Sequence, residues 1–112
     1  MTRPAGDWRV GDHAAELDGL IAEATVDAHD RDEQLVGFAT MIEEHLGLPF
    51  ETEVLGVKVT VEDVRQNPAG QLVAVCRKGR LRQPIGLLEL PLPDPSPGGA
   101  RWVAAYRLWA ER

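Results

Sequence analysis

Apolar side chains recur at helical spacing through the first half of the chain and alternate with polar ones through the second. Leu17, Leu20, Ile21 and Ala24 predict a helix over about Asp12–Thr25, with Asp12 as its N-cap. Leu35, Phe38, Ala39, Ile42 and Leu46 form the apolar stripe of a second helix over about Arg31–Leu46. Gly47 suits the left-handed position that closes many helices, and Pro49 bars continuation. Beyond Phe50 the period shortens to two. Val57, Val59 and Val61 alternate with Lys58, Thr60 and Glu62, the mark of a half-buried strand. Phe50, Thr52 and Val54 form the inward set just before it, so parity flips near Leu55-Gly56 and a bulge or tight turn is predicted there.

Further strands are expected at Leu72–Arg77 and Leu81–Ile85, joined at a Lys78-Gly79 hairpin tip, with a short one around Leu87–Leu90. Asn67-Pro-Ala-Gly70 is a turn by composition. Pro91, Pro93, Pro95 and Pro97 alternate into Gly98-Gly99, an extended connector. Trp102, Ala105, Tyr106 and Trp109 then share one face of a last helix. Helices first and short strands after indicate an α+β fold. Four or five such strands in hairpin succession predict a small antiparallel SH3-like β-barrel, with an N-terminal helix pair before it and a C-terminal helix behind. The resulting plan is a flexible arm over 1–11 and one domain over 12–112. Within the domain, helices occupy 12–47, the barrel 50–90, the connector 91–99 and the last helix 100–111.

Composition narrows the function classes. With 44% hydrophobic and 27% charged residues the chain is an ordinary globular one. A pI near 5.0 argues against nucleic acid, which needs a clustered positive field. The cluster Arg77, Lys78, Arg80 and Arg82 reads as a solvated hairpin tip. No run approaches the ~20 apolar residues that span a bilayer, so no membrane is expected. The single Cys76 forms no internal disulfide, which suits a reducing compartment, and a cytoplasmic location is expected.

Charge is unevenly placed. Eleven of the 18 Asp/Glu but only three of the 12 Lys/Arg precede Phe50. The acids are densest at Asp27-Ala-His-Asp-Arg-Asp-Glu33, and resume at Glu43, Glu44, Glu51 and Glu53. Carboxylates this close repel unless a positive charge sits among them, and a hard cation such as Ca²⁺, with 6–8 oxygen ligands, fits that need. A simpler reading stands beside it. Asp30 as N-cap with Glu33 three residues on is a D-x-x-E capping box, and acids suit a helix's first turn. The spacing is not that of an EF-hand, since 27–33 contains no Gly and lacks the D-x-D-x-D-G pattern. Glu43 and Glu44 lie about ten residues beyond Glu33 on the same helix, roughly 15 Å at 1.5 Å rise per residue, so any site they form with Glu51 or Glu53 is separate.

Other chemistries find less. His29 and His45 stand at opposite ends of one helix, against a zinc site. There is no nucleophile elbow and no Gly-rich phosphate loop, and Cys76 belongs to an apolar strand, so no enzyme is expected. The stripe Trp102, Tyr106 and Trp109 reads either as core or as a partner-binding face.

Taken in order, several short motifs resemble the CcbP-like family of small calcium-binding proteins first described in cyanobacteria. They are Asp27-Ala-x-Asp-x-x-Glu33 before an amphipathic helix, Leu46-Gly-Leu-Pro-Phe50, Glu53 with Val57-x-Val-x-Val61, the Cys76 strand ending in Lys78-Gly79-Arg80, Pro84-Ile-Gly-Leu-Leu-Glu-Leu90 and the Trp102…Tyr106-Arg-x-x-Trp109 tail. The resemblance implies an SH3-like barrel with flanking helices that binds Ca²⁺ through surface carboxylates, in a buffering or signalling role. It carries Asp27, Asp30 and Glu33 over as ligands, and Asp32 less directly. Glu43, Glu44, Glu51 and Glu53 rest on the geometric argument more than on a motif. The alternative is a protein-interaction module whose barrel or aromatic face docks a partner while the acids keep it soluble.

Overall fold

The computed structural model describes residues 13–112. The expected arm over 1–11 and the Asp12 cap lie outside the described residues. Element order is α1 (Ala14–Ala24), α2 (Arg31–His45), β1 (Phe50–Val54), β2 (Val57–Gln66), β3 (Leu72–Lys78), β4 (Leu81–Gly86) and α3 (Ala100–Glu111).

Leu17, Leu20 and Ala24 bury one side of α1, and the helix closes where the Thr25 hydroxyl donates to Ile21 O at 2.7 Å. α2 buries Leu35, Phe38 and Ile42, the stripe its period predicts. Its C-terminus departs from expectation. The chain leaves through Leu46 in extended conformation, and Gly47 is absent from the positive-φ positions. Gly47 instead donates its N–H to Gly98 O at 2.8 Å. The left-handed glycine is Gly99, at φ 80°, where a Cβ would lie 2.1 Å from His45 O. The end of α2 and the start of α3 thus share one tight junction.

The four strands pair antiparallel in the order β1-β2-β3-β4. β1 and β2 join through Leu55 and Gly56 at φ 50° and 79°, a two-residue turn with both residues left-handed. This is the predicted parity flip, realised as a tight turn. A bulge also exists, six residues later. The β2–β3 register shifts between Val61 and Asp63, so Val61 and Val64 both face the core.

The predicted barrel does not form: the sheet is open. Closure required a fifth strand, but Leu87–Glu89 is a turn in which Leu87 and Leu90 are buried. Pro84 in β4 also lacks the N–H that edge pairing needs. The chain returns past β1 by side-chain contact instead, the Thr52 hydroxyl donating to Pro91 O. Arg107 of α3 fastens the same return, donating to the carbonyls of Leu87 and Leu90.

The core lies between the helices and one face of the sheet, where Leu17, Phe38, Ile42, Val61, Ala74 and Val103 are fully buried. Arg101 of α3 and Arg112, its C-cap, reach α1: Arg112 meets Asp18 at 2.6 Å and Arg101 meets Glu16 at 3.5 Å. Part of the acidic excess of the first half is therefore answered in space by bases of the second.

Candidate functional site

The connection between α1 and α2 positions the densest acids. Ala28 N–H donates to Thr25 O at 3.1 Å, and Asp27 is the third residue of that turn at φ 62°, a left-handed position for which Asp is among the better suited non-glycine residues. Asp30 caps α2, its Oδ1 accepting from Glu33 N–H at 2.8 Å. Glu33 reaches back, its Oε2 accepting from His29 N–H at 3.0 Å. This is the capping box the spacing predicts, with the return bond one residue further back than in its usual form. Asp27, Asp30, Asp32 and Glu33 are all exposed.

The remaining acids are dispersed. Glu43 and Glu44 are exposed on the last turns of α2, with Glu44 4.0 Å from His45 Nε2. Glu51 and Glu53 are exposed on β1, and Glu53 stands opposite Lys58 of β2. Glu51, Glu53 and Lys58 share an open cleft with Leu92 and Pro93. Among the described residues no three His, Cys, Asp or Glu side chains are gathered as a metal cage would require. The donor chemistry at 27–33 suits a hard cation; the arrangement does not assemble a first shell.

The aromatic stripe is core, which removes it as a partner-binding face. Trp102, Tyr106 and Trp109 are 2%, 3% and 8% exposed. Phe38 packs against Tyr106 and Trp109 at centroid distances of 5.9 and 5.1 Å. Trp109 Nε1 donates to Gln34 Oε1 at 2.9 Å, and the Arg31 guanidinium lies 4.0 Å from its ring centroid. Large flat rings at helical spacing lose too much water-exposed area in docking α3 to stay free.

Cys76 is buried in β3, and burial pushes its thiol pKa up, away from the thiolate a nucleophile needs. The basic cluster does occupy the β3–β4 hairpin. Arg82 and Arg77 converge on Glu62, at 2.9 and 3.5 Å, because the bulge presents that carboxylate. The periodicity of β2 carried no sign of that pairing.

Sequence reasoning also missed an apolar opening between the two hairpins, lined by Val54, Val57, Val59, Leu81 and Ile85. Its one sequence signal was Leu55 beside Gly56, where a two-residue hairpin turn ordinarily carries Asn or Asp.

Neither a protein-family model nor a curated protein matches the sequence. In three dimensions the chain is similar to the crystal structure of Anabaena CcbP, with a TM-score of 0.63 and 16% identity over 96% of each chain. The CcbP-like resemblance read from the motifs is thus met at the level of the fold.

Proposed function

We propose that this chain is a non-enzymatic calcium-binding protein of the cytoplasm, engaging Ca²⁺ through the carboxylates of the α1–α2 connection in a buffering or signalling role. The observation that carries this reading is the fold shared with Anabaena CcbP over 96% of both chains, in a sequence whose motifs resemble the calcium-binding CcbP-like family. Asp27, Asp30, Asp32 and Glu33 are the proposed ligands, being close in sequence and exposed, with the intervening Arg31 held against Trp109. Glu43, Glu44, Glu51 and Glu53 make a weaker second region, where Lys58 already opposes Glu53.

The structure bears on affinity. Asp30 and Glu33 are engaged with backbone N–H groups, so a cation must share or displace those bonds while gathering the other carboxylates. An unassembled site of this kind belongs at the weak end of biological calcium binding, with Kd on the order of 10⁻⁴–10⁻³ M.

Calorimetric titration of chelator-stripped protein with Ca²⁺, repeated with Mg²⁺ and at raised salt, tests the proposal. Saturable binding that persists under both conditions is expected, together with stabilisation of about 1.4 kcal/mol when free Ca²⁺ is tenfold above Kd. The Asp27→Asn/Asp30→Asn variant should lose most of that gain. Heat no larger than charge screening produces would overturn the calcium reading.

A further inference from the structure

Burial falls away along the sheet toward its two hairpin tips. On β2 it runs from Val61, fully buried, through half-buried Val59 to Val57 at 42% exposure. On β4 it runs from half-buried Ile85 to Leu81 at 77%. The strand register puts these residues on one face, the face whose other end carries the core. The uncovered end forms a groove of about 470 Å³.

Two features separate this groove from incidental apolar surface. The first is Leu55 at its lip, which is 99% exposed and held at φ 50°. A bulky residue in a left-handed turn is strained, and one wholly in water gains nothing from the fold in return. Strain retained without a structural benefit points to use. The second is charge. The groove's charged lining residues are Lys78 and Arg82, with no carboxylate among them, in a protein of net charge −6. Arg82 is answered by Glu62, whereas Lys78, and Arg80 two residues on in the hairpin turn, form no ion pair among the described residues.

We propose that this groove docks an acidic amphipathic segment of a partner protein. Its apolar side chains enter between Val57 and Leu81 and cover Leu55, while its Asp or Glu residues meet Lys78 and Arg80. A second copy of this chain suits the groove poorly. Isologous pairing of groove on groove brings two basic rims together, and neither lining holds a carboxylate to offset them. The interaction is independent of calcium at the α1–α2 connection.

The test is selection of a random dodecapeptide display library on the full-length protein, then fluorescence anisotropy of the labelled peptides selected. Enrichment of peptides combining Leu, Ile or Phe with Asp or Glu is expected. Lys78→Glu should weaken their binding at least tenfold and Leu81→Ser about fivefold. Both residues are exposed, so both variants should fold. Leu55→Asn is the more discriminating variant: relieving the turn should raise the urea midpoint, while removing the apolar lip lowers peptide affinity at least threefold. Asp27→Asn/Asp30→Asn should leave peptide binding unchanged, which keeps this result separate from the calcium one. No enrichment, enriched peptides without acidic residues, or binding indifferent to all three groove variants would each overturn the proposal. Concentration-dependent dimerisation in sedimentation velocity that Leu81→Ser abolishes would overturn it too, assigning the groove to a second copy.

Discussion

Gly37 is the residue on which the helix pair depends most directly. A Cβ there would stand 2.0 Å from Ala24 O, a backbone atom at the end of α1 that no side-chain rotation can clear. Gly37→Ala is otherwise a helix-favouring change, worth a gain of about 1 kcal/mol in an open helix. Here overpacking outweighs it, and a net loss of about 1–3 kcal/mol is expected in urea unfolding. A stabilised Gly37→Ala protein would mean that α1 and α2 are not in contact as described. The contrast with Gly19, whose Cβ would meet nothing within 4 Å, is not visible in the sequence, where both glycines sit in helical pattern.

At the scale of elements, the capping box ties stability to the proposed site. Asp30→Ala removes the acceptor for Glu33 N–H and should cost about 1 kcal/mol. Asp30→Asn keeps an acceptor oxygen and should cost much less, so a calcium response lost in the Asn variant reports on coordination rather than on a frayed helix. Equal unfolding midpoints for the Ala variant and the parent would show that the cap is not formed. Strand positions were legible because alternation follows from the pleat itself. The bulge at Val61/Asp63 was not, since Val61 and Val64 satisfy either a bulged strand or one that simply ends. Leu87–Leu90 misled for a related reason: an apolar run predicts burial, and burial is what Leu87 and Leu90 have, in a turn instead of a strand.

For the whole molecule, charge and burial distribute differently from the linear sequence. Arg101 and Arg112 come back over Glu16 and Asp18, while Asp27, Asp30, Asp32 and Glu33 form no ion pair among the described residues and the β3–β4 hairpin gathers Arg77, Lys78, Arg80 and Arg82. Stability should fall on the alkaline side. Burial pushes Cys76 above its ordinary 9.0, and it pushes Tyr106 above 10.0 against a backbone hydrogen bond at Leu72 that pulls the other way. The folded state therefore holds protons that the unfolded chain has released. Their contribution is complete below about pH 9 and is lost as pH rises through the raised values. Urea midpoints between pH 7 and 11 should show a descending limb above pH 9 that Tyr106→Phe makes shallower. A flat profile in the parent protein would contradict the burial of both groups.

The sequence by itself determined the local things: two amphipathic helices, the Asp30–Glu33 cap, the turns at Leu55-Gly56 and Asn67–Gly70, and the aromatic face of the last helix. Each depends on neighbours within a turn or two, and side-chain period and cap chemistry report them directly. Only the tertiary structure decided that the sheet stays open, that Gly99 rather than Gly47 takes the left-handed junction, that Arg77 and Arg82 share Glu62, and that Val57 and Leu81 are left uncovered beside Leu55. Those outcomes depend on which distant segment arrives at a given surface. A strand's alternation shows which of its faces is apolar, and says nothing of how far along that face a helix will reach.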